Sequence, residues 1–187
     1  MAFTLVKEPD EGEWVQMVKI GHNSVALAGE FAVLSQLAIR GFDANMTLGN
    51  TKSVDILVSD PETSSMFKIE VKTSMVEKPS HDKLFGTYFS WMMSEKQEHI
   101  KDPHLFYCFV TILKPAYTFR FFIVSSERVA RFVKESNDFF QQFYHDKPNP
   151  MRKFMVGLEG PYKLEEMTEE KMPLASEYEN RWDFQIT

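Results

Sequence analysis

The sequence predicts an α/β fold in which a mixed five-stranded sheet is flanked by helices. One observation is an apolar stripe of helical period over residues 23–40, followed by three short runs of strand-forming residues. A second is a pair of aromatic and β-branched runs, 104–113 and 118–125, that lead into another amphipathic stretch. Strands that alternate with helical stretches are typical of α/β folds.

The first helix is predicted over residues 23–40. Asn23 or Ser24 can cap its start, and Gly41 follows its end, where a left-handed residue commonly stops a helix. Three strand candidates come next, at 42–48, 53–59 and 66–73. The segment between the last two is rich in turn formers, so these two strands are predicted to form a hairpin with a long loop.

The second half of the chain continues the pattern. Residues 89–100 are predicted to form a helix, and the runs 104–113 and 118–125 a second hairpin. A long helix is expected from 127 to about 144. The predicted order of elements is therefore α-β-β-β-α-β-β-α.

Length and charge bound the organisation of the chain. Its 187 residues, 43% of them hydrophobic, suffice for one globular domain with a core. We expect a single α/β domain over 1–153 and an acidic C-terminal extension over 154–187 that packs at its periphery or on a partner subunit. The stretch 159–183 holds eight acidic residues against three basic ones, so it carries most of the net charge of -6. The remainder is nearly neutral, which leaves room for a basic groove.

Several classes of protein are excluded by composition. No apolar run approaches the roughly 20 residues that span a bilayer, and the first residues lack the pattern of a secretory signal, so a cytoplasmic protein is expected. The one cysteine, Cys108, excludes an internal disulfide and a cysteine zinc cluster. Its apolar surroundings predict a small buried side chain.

Charged residues inside two predicted strands are the candidates for chemistry. Asp55 is the one charged residue within its strand, and the next strand carries Glu70 and Lys72 with Val71 between them. Side chains two positions apart on a strand share a face, and a hairpin partner can bring Asp55 beside Glu70. Two neighbouring carboxylates repel each other unless a cation or a proton lies between them. An oxygen-lined pair of this kind accepts Mg2+.

This pattern resembles the PD-(D/E)xK nuclease superfamily, whose fold is described as restriction-endonuclease-like or Holliday-junction-resolvase-like. The matching residues are Asp55 on the second strand and the Glu70-x-Lys72 motif on the third. The resemblance covers about residues 23–145. The proline that often precedes the aspartate in that family is replaced by Val54.

The resemblance implies a phosphodiesterase that depends on Mg2+ or Mn2+ and acts on nucleic acid, with DNA as the expected substrate. The metal ligands that it implies are Asp55, Glu70, the carbonyl of Val71, and Glu30 on the first helix. Lys72 would assist the water that attacks the phosphate. Nucleases that cut both strands of a duplex commonly pair, so a homodimer is compatible with this function.

Simpler interpretations stay open. Glu70 and Lys72 also fit a surface ion pair worth at most about 1 kcal/mol, and Glu30 fits a solvated helix position. Asp55 resists such an explanation, because an unpaired carboxylate in an apolar strand costs several kcal/mol. For the whole protein, the alternative is a non-catalytic binding or regulatory module of the same fold that acts as a subunit or sensor.

Further candidates lie around this set. Gln97 falls on the predicted helix after the Glu-x-Lys strand, where some nuclease families place a site glutamine, although an exposed helix residue explains it equally well. Basic residues in predicted loops are candidates for DNA contact, although scattered lysines are common on any surface. They are Lys52, Lys78, Lys83, Lys147, Arg152 and Lys153.

Overall fold

The computed structural model describes residues 4–7, 14–17, 20–47, 54–143, 151–168 and 170–184. The strands are β1 Thr4–Lys7, β2 Trp14–Met17, β3 Asp43–Met46, β4 Ile56–Ser59, β5 Met66–Val76, β6 Ser80–Asp82, β7 Gly86–Ser94, β8 Leu105–Leu113, β9 Thr118–Ser125 and β10 Met151–Glu159. The helices are α1 His22–Ala38, α2 Ser126–Phe143, α3 Lys163–Met167 and α4 Ala175–Tyr178, with a 3-10 helix at Glu95–His99.

The main sheet has the five strands that the sequence predicts, and their order in the sheet is β3-β4-β5-β8-β9. The pairs β3–β4, β4–β5 and β8–β9 are antiparallel, whereas β5 and β8 are parallel, so the sheet is mixed. Both predicted hairpins, β4–β5 and β8–β9, are therefore confirmed. A second, antiparallel sheet has the order β10-β7-β6, and β1 pairs with β2 in a separate ribbon.

The two faces of the main sheet bury two apolar clusters. We call the cluster on the α1 side the α1 layer; it joins Val33 and Leu37 of α1 to Ile69 and Val71 of β5. The cluster on the opposite side, here called the α2 layer, joins the second sheet and α2 to residues such as Phe109 of β8. Covering both faces explains why β8 is a continuous apolar run.

Helix α1 ends as predicted but begins differently. Gly41 adopts a left-handed conformation (φ 84°) three residues after the helix, which fits the predicted stop. The N-cap position belongs to Gly21, not to Asn23 or Ser24, and none of the described side chains caps the helix there. In the part of the chain described, no helix combines the length and apolar character needed to cross a membrane.

The predicted helix at 89–100 is wrong. Residues 86–94 form strand β7, and only residues 95–99 are helical, in a short 3-10 helix. The reason is an alternation with a period of two: Phe89, Trp91 and Met93 are buried, whereas Met92 is exposed. Pairing with β6 and β10 on either side fixes this segment as the central strand of the second sheet.

The predicted boundary at 153/154 falls inside strand β10, which spans Met151–Glu159. This strand pairs with β7, and its Phe154 is fully buried against Phe109, with ring centroids 4.3 Å apart. Farther along, Trp182 and Phe184 are buried in the α1 layer. The residues after 153 thus complete the core on both faces of the main sheet, in place of the peripheral packing expected from their charge.

Candidate active site

The β4–β5 hairpin brings the predicted acidic residues together. The last residue pair of the two strands is Ile56 with Ile69, and continuing this register by one position sets Asp55 opposite Glu70. On β5, Val71 packs into the α1 layer, while Glu70 and Lys72 lie on the alternate positions. The juxtaposition expected from the sequence is therefore present in the fold.

Asp55 is held at the point where regular pairing of β4 and β5 stops. Its Oδ2 accepts a hydrogen bond from the Val71 N–H at 2.7 Å, and its own N–H donates to the Ile69 carbonyl at 2.8 Å. A strand residue directs its N–H and C=O toward the same neighbouring strand in an antiparallel pair. The Val71 carbonyl consequently points to the side on which Asp55 lies.

Glu70 is buried and has one ionic partner among the described residues. Its Oε1 lies 2.5 Å from Lys72 Nζ, and its side chain is only 5% exposed, against 31% for Lys72. Its Oε2 is buried and has no hydrogen-bond partner among the described residues. A buried carboxylate normally satisfies both oxygens, so Oε2 still has the capacity to accept a hydrogen bond or to bind a cation.

The electrostatics at Asp55 reflect crowding of negative charge. Burial raises the pKa of the Asp55 carboxyl most, and the nearby Glu70 charge raises it further. The Val71 hydrogen bond and the Lys72 charge lower this pKa without cancelling the increase. Asp55 thus remains a carboxyl whose charged form lacks full compensation in the protein itself.

Glu30 reaches the same region from α1. Burial raises the pKa of the Glu30 carboxyl, and the Asp55 charge raises it further, so the two carboxyl groups interact electrostatically. The helix comes close to β5 here because Gly29 lacks a side chain: a Cβ atom at Gly29 would lie 1.8 Å from Thr73 Oγ1. Close packing at Gly29 therefore sets the distance between Glu30 and the hairpin.

The described residues do not assemble a complete metal cage. Among the described residues, no three His, Cys, Asp or Glu side chains lie close enough together to form one. Asp55 and Glu70 form a pair, and Glu30 approaches it from the helix. The full ligand set with Glu30 and the Val71 carbonyl stays a prediction.

The additional candidate residues differ in their contacts and exposure. Gln97 caps the start of the 3-10 helix, since its Oε1 accepts hydrogen bonds from Ser94 N and Ser94 Oγ at 2.9 and 2.7 Å. Arg152 pairs with Glu98. The side chains of Lys78, Lys83 and Lys153 are exposed and stay candidates for DNA contact, whereas Lys52 and Lys147 fall outside the described residues.

Sequence reasoning missed Tyr107 as a neighbour of the site. The parallel pairing of β5 and β8 sets Tyr107 directly beside Glu70, and Tyr107 is completely buried. Its hydroxyl is the one phenol in a strand that otherwise reads as core, "LFYCFVTIL". That hydroxyl was the available signal, but only the β5–β8 register shows which residue it meets.

No protein-family model matches the sequence, and no curated protein matches it. Among solved structures, that of a bacterial homing endonuclease, I-Ssp6803I, is similar to this chain with a TM-score of 0.47 and 12% sequence identity. The alignment covers 87% of this chain and 89% of that chain. A likeness at this level transfers no residue role to the present protein.

Proposed function

We propose that the protein is a metal-dependent phosphodiesterase, a nuclease with DNA as its expected substrate. The observation that carries this proposal is the pairing of the buried Glu70 carboxylate with Asp55, whose charged form is incompletely compensated. A plain ion pair between Glu70 and Lys72 leaves the crowding of negative charge at Asp55 unexplained. A divalent cation between the two carboxylates accounts for it.

The donor set fits a hard cation. Asp55 and Glu70 offer carboxylate oxygens and Val71 a carbonyl oxygen, which are the ligand types that Mg2+ and Mn2+ take in proteins. Glu30 is suited to hold a second ion or a metal-bound water from α1. The remaining positions on a magnesium ion are commonly filled by water and by substrate phosphate, so an incomplete protein cage is compatible with the proposal.

The chain's own residues have distinct tasks in this proposal. When bound, the cation polarises the scissile phosphate and lowers the pKa of a water molecule. Lys72, held in place by Glu70, orients the attacking water and neutralises charge that develops on the phosphate. The Val71 N–H fixes one oxygen of Asp55, which leaves the other for binding.

A direct test is cleavage of labelled duplex DNA by the full chain in Mg2+, in Mn2+ and in a chelator, with single-stranded DNA and RNA as parallel substrates. We expect metal-dependent cleavage that Asp55→Asn abolishes. The matched control is Asp102→Asn. Asp102 forms an ion pair at 2.7 Å with Lys68, which lies on β5 as Glu70 does, but Asp102 is outside the proposed ligand set. This control should retain activity.

The alternative function, a non-catalytic binding or regulatory module, gives a different result in the same experiment. It predicts that Mn2+ raises the Tm of the parent, that Asp55→Asn removes this effect, and that no substrate is cleaved. A chain that neither cleaves nor responds to Mg2+ or Mn2+ contradicts the proposed metal site itself.

A further inference from the structure

Glu70 and Tyr107 are neighbours by strand register. Strand β5 runs parallel to β8, and the register pairs Glu70 with Tyr107. The next pair along the two strands is Val71 with Cys108. Val71 and Cys108 both belong to the α1 layer, so Glu70 and Tyr107 both face the α2 layer. Exposure is only 4% for Glu70 and 0% for Tyr107, which leaves neither side chain ready access to solvent.

The Tyr107 hydroxyl can supply the hydrogen bond that Glu70 Oε2 lacks. Glu70 Oε2 and the Tyr107 hydroxyl are both buried, and neither has a hydrogen-bond partner of normal geometry within the described part of the chain. A carboxylate oxygen only accepts hydrogen bonds, and a phenol can donate one. Burial raises the pKa of the Tyr107 phenol most, and the Glu70 charge raises it further, so the hydroxyl keeps its proton at neutral pH.

The tyrosine is the fixed member of the pair. Its ring stacks on Phe109 with centroids 5.7 Å apart and an angle of 13° between the planes. The terminal torsion of a glutamate is broad by comparison, so the carboxylate can turn to meet the hydroxyl.

We infer that Tyr107 is a positioning residue, whose hydroxyl donates a hydrogen bond to Glu70 Oε2 and sets the orientation of the carboxylate that faces the cation. This inference rests on the proposed function for its effect on the cation, but not for the hydrogen bond. Tyr107 is buried beneath Glu70 and acts through it, without touching the substrate. Partners of this kind around metal ligands commonly affect metal affinity strongly.

The first test is the affinity for Mn2+, measured by isothermal titration calorimetry on the full chain. Tyr107→Phe keeps the packed ring and removes the donor, and we expect it to weaken Mn2+ binding about tenfold. The matched control is Tyr88→Phe, because Tyr88 is also a buried residue and its hydroxyl donates to Asp82 Oδ2 at 2.7 Å within the second sheet, which includes neither β4 nor β5. The control should leave Mn2+ affinity unchanged.

The second test needs no cation. Tm values are compared for the parent, Tyr107→Phe, Glu70→Met and the double variant, all in a chelator. A hydrogen bond between the two side chains predicts that Tyr107→Phe lowers Tm in the parent and has a much smaller effect in the Glu70→Met background.

The outcomes separate this inference from the proposed function. Equal effects of Tyr107→Phe on Tm in both backgrounds overturn the hydrogen bond, whatever the protein catalyses. A parent that binds Mn2+ and a Tyr107→Phe variant that binds it equally well overturn the positioning role. A parent that binds no Mn2+ refutes the proposed metal site and the effect on the cation, while the Tm comparison still decides the hydrogen bond.

Discussion

Asp55 is the residue whose surroundings fit a purely structural role least. It makes one backbone hydrogen bond to Val71, yet burial and the Glu70 charge still raise its pKa. A folded-state pKa above the unfolded value means that the stability from this group is fully present below the unfolded pKa and is lost as pH rises through the folded pKa. Glu30 acts in the same direction, so without a cation both groups oppose folding at neutral pH.

We therefore predict that Asp55→Asn stabilises the cation-free protein at pH 7. The amide oxygen can still accept the Val71 N–H, and the crowded charge is gone. After discounting for partial exposure, the gain should be about 1 kcal/mol or less, or up to roughly 2–4 °C in Tm. Thermal unfolding in a chelator from pH 4 to 8 measures it, and the gain should shrink toward the acidic end. A variant less stable than the parent at pH 7 would contradict this account of Asp55.

Lys72→Ala has two predicted effects. It should abolish cleavage, because the ammonium group that orients water is lost. It should also destabilise the cation-free protein by about 1–3 kcal/mol, since the buried Glu70 carboxylate loses its partner. A surface ion pair would contribute at most about 1 kcal/mol, and the larger effect expected here follows from the burial of Glu70.

The control for Lys72→Ala is Lys68→Ala on the same strand. Lys68 also has an ionic partner, Asp102, but its side chain is 43% exposed. Its loss should change stability by less than about 1 kcal/mol and leave cleavage intact. Urea unfolding and a cleavage time course measure both variants. Equal destabilisation by the two substitutions would mean that burial of Glu70 is unimportant.

How far the site follows from sequence depends on which strand pairing is involved. Asp55 meets Glu70 through a hairpin whose strands are joined by the single loop 60–65, and the apolar positions of both strands favour the observed register, so their proximity could be predicted. Tyr107 meets Glu70 through parallel pairing across a long connection that includes the whole of β7. No local rule sets that register, which is why Tyr107 escaped the sequence analysis.

At the scale of elements, α1 packs closely on β5 because Gly29 has no side chain. The nearest atoms to a Cβ built at Gly29 belong to Thr73, a β-branched residue whose side chain is stiff. Any larger residue at 29 must push the helix outward and carry Glu30 with it. The geometry of the candidate site thus depends on a contact outside its charged residues.

We predict that Gly29→Ala lowers both stability and cleavage. Alanine favours a helix by up to about 1 kcal/mol, but overpacking against Thr73 should cost about 1–3 kcal/mol. The matched control is Gly21→Ala at the N-cap, where an added Cβ meets nothing within 4 Å. Tm and the cleavage rate distinguish the two. A Gly29→Ala chain as active and as stable as the parent would show that α1 can shift freely.

The segment 89–100 shows why some elements could not be assigned from sequence. Its last residues, "SEKQEH", favour a helix, whereas Phe89, Trp91 and Met93 carry the two-residue alternation of a strand. The choice is made by β10, which lies far along the chain and pairs with β7 over its length. Tertiary pairing therefore overrides local propensity here.

At the scale of the whole molecule, charge and burial give opposite impressions of the C-terminal region. Residues 154–187 are acidic in composition, yet Phe154, Val156 and Leu164 are fully buried in the α2 layer. Arg120 pairs with Glu179 through two hydrogen bonds of 2.7 Å, which ties β9 to the residue after α4. Among the described residues, most of the acidic side chains are exposed on an apolar framework that the rest of the molecule needs, whereas Glu170 is buried against Arg128.

Removal of residues 154–187 should therefore unfold the protein. As a finer test, Phe154→Ala should destabilise it by about 3–5 kcal/mol, because a fully buried aromatic ring leaves a cavity. The matched control within the same region is Glu166→Ala, which changes an exposed residue and should shift stability by no more than about 0.5 kcal/mol. Chemical denaturation of each variant provides the measurement. A truncated chain that still unfolds cooperatively would contradict the shared core.

The position of β7 between β6 and β10 has a consequence for biosynthesis. On the ribosome, β6 and β7 emerge well before β10, so one edge of β7 stays unpaired while the intervening residues are translated. An unpaired strand edge is a template for pairing with other chains, and here it would lie beside Phe89 and Trp91. We expect nascent chains at this stage to depend on chaperones, and slower translation after β7 to lower the yield of folded protein.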